Sequence, residues 1–384
     1  MEKRGMNERI QKLREISVTT PVHIDLERAR IETEVYKQWE GKVSIPVLRS
    51  MSLKEYFSRK TLYLGDGELI IGEKGCDPQA SPTFPEICCH SVEDMVIMSE
   101  RELVSFHTTE EDRRIQAEEI IPFWEGKATR DKVLASMTPE WKKCYGAGIF
   151  TEFMEQRGPG HTCGGEQVFT TGYLDYKDQI KEAMDKLDFM NDPEAFDKME
   201  ELKAMDIACD AVIILGERYH ALALEMAEKE TCEQRKAELL QIAANLEVVP
   251  KHKPQTFWQA LQLYWFTHLG VTTDLNPWDA FSPGRLDQHT IGYYRADVEA
   301  GILDVKVSDC LYKLKGGCGA NALHPFWRGM DLAKEQVAGY PVRAWFTGHL
   351  YPEKSTGNLL DLRELERQGI TDVFLNEPEI YLPN

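Results

Sequence analysis

The sequence predicts a helix-rich α/β protein, and three of its features support that fold class. Capping residues or prolines begin several long helical patterns. A strand-like run, LYLGDGELIIGEKG, covers residues 62–75. Near the end of the chain, LLDLRELERQGITDVFLN combines a short helical pattern, a glycine stop at Gly369 and a strand-like segment. That order suits an α/β unit.

Helix starts are marked at four places along the chain. Ser91 opens SVED, which has the form of a capping box. The TPE sequence at 138–140 places a capping threonine before a proline in the first helical position. The DP pair at 192–193 predicts the start of a longer helix, and Thr231 is predicted to cap the next one, CEQRKAELLQIAANL.

Periodicity predicts how two of these helices are buried. Apolar residues recur at intervals of three and four from Met199 through Met205 to Val212, which indicates one buried face of an amphipathic helix. The later segment KPQTFWQALQLYWFTHLG is apolar on nearly all sides, so we expect it to be buried, with Gly270 as its C-terminal cap. VTTDLNPWDAFSPGRLDQH then predicts an apolar loop of the kind that often carries a site.

Composition limits the classes of function. The 384 residues are 42% hydrophobic and 28% charged, as in ordinary globular proteins. The formal net charge of −19 repels phosphate backbones and argues against nucleic acid as a partner. The N-terminus, MEKRGMNERIQKLREIS, lacks the apolar region of a secretory signal, and apolar windows fall short of a membrane span. These features predict a cytoplasmic protein without a membrane partner.

Cysteine usage supports a reducing compartment. The nine cysteines are an odd number with irregular spacing, and no CxxC pair indicates zinc or redox chemistry. In PTFPEICCH, residues 82–90, two adjacent thiols and a histidine permit a metal interpretation, but zinc sites use spaced ligands. We therefore expect mostly reduced, buried thiols and no metal site.

Two short segments are candidates for chemistry. GPGH, residues 158–161, follows a helical pattern with a sharp turn that presents His161, which either exchanges protons near neutral pH or only stabilises the turn. NPWDAF, residues 276–281, places Asp279 between aromatic residues. Its carboxylate is then either desolvated and functional, or it caps a helix or pairs with Arg285.

A set of ordered segments resembles one enzyme family. The segments are IPVLRSMSLKEYF, GELIIGEKG, PTFPEICCH, EEIIPFW, TPEW, FMEQRGPGH, KPQTFWQALQLYWF and TTDLNPWDAFSPGRLDQH. Together they resemble the N-terminal part of glycyl radical enzymes, the pyruvate formate-lyase superfamily, and in particular its branch that removes water from trans-4-hydroxy-L-proline. The resemblance covers residues 1–303 and leaves 304–384 as an unassigned α/β tail.

The resemblance implies a fold and a chemistry. The chain would form the N-terminal portion of a ten-stranded α/β barrel wrapped in helices. An activating enzyme with an iron–sulfur cluster and S-adenosylmethionine would install a radical on a backbone glycine, with no other cofactor bound. A cysteine would carry the radical to the substrate, and loss of water would give pyrroline-5-carboxylate. By the same resemblance, His161 and Asp279 bind the substrate and relay protons, and Phe153 packs on the substrate ring.

The radical motifs of the family are matched poorly. Its thiyl motif, G-C-x-E, has only a weak counterpart at Cys318, because Ala320 replaces the glutamate. Its glycyl motif, R-V-x-G-Y, has a better counterpart at Gly339, where Gln336 replaces the arginine. The two counterparts are about twenty residues apart, whereas the family keeps the motifs far apart.

These departures predict an incomplete enzyme. We expect a truncated or split form that is not competent alone, is poorly soluble or needs a separate C-terminal chain, and forms a homodimer as many relatives do. The alternatives are a non-catalytic scaffold and another glycyl radical lyase that acts on a diol, choline or a sulfonate.

Overall fold

The structure is a computed structural model that describes residues 8–102, 105–149, 163–275 and 283–302. Within these ranges helices dominate, and the only strands are two short ones. The helices are α1 (Glu8–Thr19), α2 (Glu27–Trp39), α3 (Ile45–Arg59), α4 (Val92–Glu100), α5 (Glu110–Ile115), α6 (Ile121–Trp124), α7 (Thr129–Ser136), α8 (Pro139–Gly146), α9 (Gln167–Thr170), α10 (Tyr173–Asp185), α11 (Ala195–Lys229), α12 (Glu233–Val248), α13 (Phe257–Asp274) and α14 (Leu286–Glu299). A π-helical turn (Gln116–Ile120) joins α5 to α6, and strands β1 (His23–Asp25) and β2 (Ala80–Pro82) pair in parallel.

Helix α13 forms the centre of the main core. It packs against α3, α9, α11, α12 and α14. Its Trp265, Phe266 and Leu269 are each at most 1% exposed. A helix that is apolar on every side is stable only when other elements surround it, and these five do so. The predicted burial of this segment is therefore confirmed.

The run at 62–75 is not a strand, which corrects the prediction from its apolar pattern. Side chains of α13 pair with its backbone instead of a neighbouring strand. Gln262 Oε1 accepts from the Ile71 N–H and Gln262 Nε2 donates to the Ile71 carbonyl, both at 2.9 Å. Trp265 Nε1 donates to the Gly72 carbonyl, also at 2.9 Å. Buried backbone groups need such partners, and here a helix supplies them.

A second, smaller core lies under β1 and α2. It combines Ile24, Ala29 and Trp124 with parts of α4 and the π-helical turn. Trp124 Nε1 donates to Thr33 Oγ1 at 2.8 Å, so the indole enters this core with its polar atom satisfied.

Arg28 connects the two cores through a buried ionic network. Its guanidinium pairs with Glu86 at 2.7 Å and lies 3.7 Å from Glu32. Its Nε also donates to the Thr273 carbonyl at 3.1 Å, which is in the last turn of α13. The Arg28 side chain is only 4% exposed. Loss of the Arg28 charge would therefore leave the buried carboxylates of Glu86 and Glu32 without this partner.

Several predicted helix starts are confirmed. Ser91 and Asp94 form a reciprocal capping box, and Thr138 caps α8 before Pro139. Two others are wrong by a few residues. Helix α11 begins at Ala195 rather than at the DP pair of 192–193. Helix α12 begins at Glu233, and the carboxylate of Glu230 accepts from the N–H groups that precede it.

Two further predictions about helices need correction. Gly270 does not end α13, which continues to Asp274, because the glycine does not adopt the left-handed conformation that a C-terminal glycine cap requires. Met205 is 52% exposed although it shares the apolar stripe of α11. That helix has 35 residues and is about 50 Å long, and its residues Ala195 and Ala204, which precede Met205 in the sequence, are buried.

The described helices do not include one that is both long and apolar enough to cross a membrane. The ten-stranded barrel and the boundary at residue 303 stay predictions, and the tail 304–384 lies outside the described residues.

We expect Gly216→Ala to destabilise the protein. A Cβ at this position in α11 would lie 2.4 Å from Cδ of Pro250, whose ring cannot move aside easily. The clash should cost about 1–3 kcal/mol and exceed the helix propensity that alanine brings. Denaturant unfolding measures the change in the free energy of unfolding.

Gly292→Ala is the matched control, because Gly292 lies inside α14 with open space around it. It should stabilise by up to about 1 kcal/mol. Equal stabilisation by both substitutions would contradict the close packing of α11 on Pro250.

Lys60 predicts a pH dependence of stability. It is fully buried, and its Nζ donates to the carbonyls of Glu73, Lys74 and Gly75. Burial lowers the pKa of Lys60 from 10.5 to about 8. Between these values the unfolded state binds more protons than the folded state, so stability should rise with pH in this window by up to about 1.4 kcal/mol per unit.

Lys60→Met removes the titrating group and should remove this slope, while Lys132→Met, at an exposed position, should retain it. Denaturation at several pH values between 7.5 and 10 measures the slope. The same slope in the wild type and in Lys60→Met would contradict the assignment.

Candidate functional site

The residues that the sequence singled out for chemistry are Phe153, His161, Asp279, Cys318 and Gly339. All five lie outside the described residues. The structure does describe the residues that flank the GPGH and NPWDAF segments, and these flanks define the candidate site.

The chain that follows GPGH is anchored on α13. Cys163 is 3% exposed, and its Sγ lies 3.8 Å from Nδ1 of His268. The hydroxyl of Tyr264 lies 3.1 Å from the same nitrogen. Trp265 stacks on the imidazole with ring centroids 5.3 Å apart. A thiol, a phenol and an indole thus hold one imidazole in place.

Glycine permits the turn immediately after this anchor. Gly164 and Gly165 have φ angles of +65° and +56°, in the left-handed region where other residues are strained. A Cβ on Gly164 would also lie 2.3 Å from Cγ2 of Val168. At this end the glycine-rich composition is therefore a conformational requirement.

His268 is neutral at physiological pH. Burial, with a smaller contribution from Lys74, lowers the pKa of its imidazole to about 3. Within the described part of the chain its Nε2 has no hydrogen-bond partner. A neutral, fixed imidazole can orient neighbouring groups, but it is too weak a base to take a proton near pH 7.

The chain that follows NPWDAF packs on the same region. Phe169 of α9 stacks between Tyr264 (5.9 Å) and His289 of α14 (5.6 Å). Tyr293 Oη, also on α14, donates to the Phe169 carbonyl at 2.5 Å. The residues that return from both segments therefore converge on Phe169 and on the middle of α13.

The chain that precedes NPWDAF leaves from the end of α13. Its last turn is held by Arg28, at the Thr273 carbonyl, and by an ion pair of 2.5 Å between Arg49 and Asp274. Leu275 follows His268 by seven residues, which is about 10 Å along a helix axis. Cys163, which follows the GPGH segment, and Leu275, which precedes NPWDAF, thus both lie at the C-terminal half of α13.

The described cysteines are free, but their burial differs from the prediction. Cys163 and Cys209 are buried, Cys232 is exposed, and the others are half-buried. Burial raises the pKa of Cys76, Cys89 and Cys209 to about 12. These three thiols are protonated near neutral pH and are poor nucleophiles.

The CCH sequence at 88–90 does not form a ligand cluster. The Sγ of Cys89 accepts from Gln116 at 3.9 Å, and that of Cys88 accepts from Arg130 at 4.0 Å. Among the described residues, the group with metal-ligand spacing is His23, Cys76 and Asp77. Sequence reasoning missed this group because its members are 53 residues apart.

Sequence reasoning also missed the Cys163–His268–Tyr264 contact. One signal was present, since Tyr264 and His268 are four residues apart in an otherwise apolar helix and must share a face. Nothing in the sequence indicated that Cys163 would contact that face.

Comparison with known proteins assigns the chain to a family. The family model described as "Pyruvate formate lyase-like" matches residues 6–307. Trans-4-hydroxy-L-proline dehydratase of Clostridioides difficile is 55% identical over 301 residues, 78% of this chain and 38% of the relative. The probable dehydratase YbiW of Escherichia coli K12 is 34% identical, over 71% of this chain and 34% of the relative. An isethionate sulfite-lyase of Desulfovibrio desulfuricans is 31% identical, over 72% of this chain and 34% of the relative.

Solved structures agree with these matches. The crystal structure of hydroxyproline dehydratase from Clostridioides difficile with trans-4-hydroxy-L-proline bound has a TM-score of 0.78 and 53% identity, covering 82% of this chain and 40% of that one. A structure concerned with 1,2-propanediol dehydration in Roseburia inulinivorans has a TM-score of 0.74 and 26% identity, covering 85% and 39%. The chain thus spans about two fifths of the length of the proteins that it matches. It belongs to the pyruvate formate lyase-like family of glycyl radical enzymes.

Proposed function

We propose that this chain belongs to a glycyl radical dehydratase whose substrate is trans-4-hydroxy-L-proline. The identity to the hydroxyproline dehydratase is 55%, against 34% and 31% to relatives named for other or unspecified substrates. The helix-rich part of the family fold is present. The higher sequence identity to the hydroxyproline dehydratase favours the hydroxyproline branch over enzymes that act on diols or sulfonates.

The convergence of both segment flanks on α13 is the observation that carries this proposal. His161 is two residues before Cys163, so their Cα atoms are separated by at most about 7 Å. Asp279 is four residues from Leu275 and four from Pro283, which limits each separation to about 14 Å. These limits are compatible with a site to which both residues contribute near the C-terminal half of α13.

The chemistry assigns a task to each of these residues. Loss of the substrate hydroxyl requires a proton donor, and the ring nitrogen requires an acceptor. His161 and Asp279 supply these functions, and Phe153 packs on the ring to fix its orientation. His268 is not the acid or base, because its imidazole stays neutral. It contacts Cys163, which follows His161 by two residues.

The reaction is a redox-neutral elimination. A carbon-bound hydrogen beside the ring nitrogen is removed as an atom and later returned, while the hydroxyl leaves as water. Pyrroline-5-carboxylate is the product, and no external oxidant is needed. The glycyl radical supplies this hydrogen-atom chemistry after a separate activating enzyme has installed it.

We further propose that turnover requires the part of the family's length that lies beyond the match at residue 307. Cys318 and Gly339 are poor substitutes for the family's radical positions, because Ala320 and Gln336 replace two motif residues. We propose that this part is carried on a separate C-terminal chain and that the protein forms a homodimer. In this proposal Phe153, His161 and Asp279 contribute the substrate-binding half of the site.

We expect His161→Ala and Asp279→Ala each to weaken binding of trans-4-hydroxy-L-proline. A hydrogen bond to a charged group contributes about 1.5–3 kcal/mol, which corresponds to about a 10- to 100-fold increase in Kd. Isothermal titration calorimetry on the full chain measures the change in Kd. The same measurement with 1,2-propanediol and with isethionate tests the alternative substrates.

His252→Ala and Asp178→Ala are the matched controls, because both side chains are exposed, and neither should change the affinity. Unchanged binding in His161→Ala and Asp279→Ala would exclude the assignment of the pocket. Tighter binding of 1,2-propanediol or isethionate would favour another glycyl radical lyase, and no binding of any of the three would favour a non-catalytic scaffold.

A second measurement tests the radical positions. The chain is incubated with an activating enzyme and S-adenosylmethionine under strict anoxia, and an EPR spectrum is recorded. We expect no glycyl doublet, because Gln336 replaces the motif arginine. A doublet that disappears in Gly339→Ala would overturn this expectation and identify Gly339 as the radical site.

A further inference from the structure

Three metal-ligating side chains meet where β1 begins and in the loop before β2. They are His23, Cys76 and Asp77, and their ligand atoms all lie within 4.8 Å of one another. His23 Nε2 is 3.4 Å from Asp77 Oδ2, and Cys76 Sγ is 3.9 Å from the same oxygen. Ligand atoms around a tetrahedral zinc ion are about 3.3–3.6 Å apart, given metal–ligand distances of about 2.0–2.3 Å. The group therefore needs a contraction of at most about 1.5 Å between any two ligand atoms to coordinate one ion.

The backbone holds two of the three ligands in place. His23 is paired with Ala80 in the β1–β2 ladder, and Ala80 follows Asp77 by three residues. The carboxylate of Asp77 accepts the N–H groups of Gln79 (2.8 Å) and Ala80 (3.0 Å) on Oδ1, and its Oδ2 faces the other two ligands. One oxygen thus fixes the loop and the other is positioned for a cation.

The third ligand is fixed by a neighbouring carboxylate. Asp25 Oδ2 accepts from the Cys76 N–H at 2.8 Å. A Cβ on Gly75 would lie 2.7 Å from that oxygen and 2.6 Å from the Cβ of Ala80. Only glycine allows this close approach of the loop to β1 and β2, which brings Cys76 to His23.

We propose that His23, Cys76 and Asp77 bind a zinc ion, with water as the fourth ligand. The set of one nitrogen, one sulfur and one oxygen matches the ligands of zinc, whereas magnesium and calcium use oxygen alone. The side chains of His23 and Asp77 are 33% and 37% exposed, so solvent can reach the fourth position.

Charge balance favours the ion. A thiolate and a carboxylate together neutralise a divalent cation, and Asp25 and Glu27 add a negative potential at Cys76. Coordination displaces the proton of the Cys76 thiol to solvent, and no electron transfer is involved. Zinc would tie β1 to the loop before β2 across 53 residues and stabilise the folded state by mass action.

The same contacts have an interpretation without metal. His23 and Asp77 would form an ion pair, and the Cys76 thiol would donate a weak hydrogen bond to Asp77 Oδ2. The two interpretations differ in stoichiometric metal binding, which can be measured directly.

The test uses the full chain, stripped of metal and reduced under anoxia. Titration with Co²⁺ should give a thiolate-to-cobalt charge-transfer absorption that saturates at one equivalent and is displaced by Zn²⁺. Cys76→Ser should abolish the absorption. Asp77→Asn should weaken zinc binding by at least about 10- to 100-fold, the range seen even for residues that only support a metal ligand.

Asp77→Asn is the decisive variant, because asparagine retains the oxygen that accepts the two backbone N–H groups and replaces only the oxygen that faces the cation. Cys232→Ser, at an exposed thiol, and a Cys88→Ser/Cys89→Ser double variant are the controls and should bind zinc as the wild type does. Wild-type affinity in Cys76→Ser and Asp77→Asn, or loss of binding in the double variant alone, would overturn the proposal.

Discussion

The burial of α13 is the constraint on which the rest of the described structure depends. Its aromatic and aliphatic side chains face neighbours in every direction, so five other helices have to surround it. Gln262 and Trp265 also pair with the backbone of Ile71 and Gly72, which would otherwise bury unpaired polar groups. One helix thus forms the centre of the main core. Its side chains also supply the hydrogen bonds to residues 71 and 72 that a neighbouring strand would supply in a sheet.

The same helix determines where the candidate site lies. His268 holds the chain that returns from the GPGH segment, and Phe169 joins that chain to α14 after the NPWDAF segment. Arg28 and Arg49 fix the last turn of α13, from which NPWDAF departs. A buried helix therefore carries the described flanks of both the GPGH and the NPWDAF segment.

Local sequence signals predicted the elements whose determinants are local. The capping box at Ser91 and the threonine–proline start of α8 depend on contacts within four residues. The strand at 62–75 was a wrong prediction, because its apolar alternation does not show whether a strand or a helix will supply its hydrogen-bond partners. Gly270 was wrongly predicted to end α13, because the sequence does not show whether a glycine adopts the left-handed conformation of a cap or, as here, stays within the helix.

The sequence by itself determined that the chain is helix-rich, that α13 is buried and that the family is that of the glycyl radical enzymes. Periodicity and the order of motifs are properties of the linear sequence, so they can be recognised without the structure. Only the tertiary structure decided that Cys163 contacts His268, that Arg28 reaches Thr273, and that His23 meets Cys76 and Asp77. These pairs are separated by 53 to 245 residues. Their contacts depend on how whole helices and loops pack, and no local pattern records that packing.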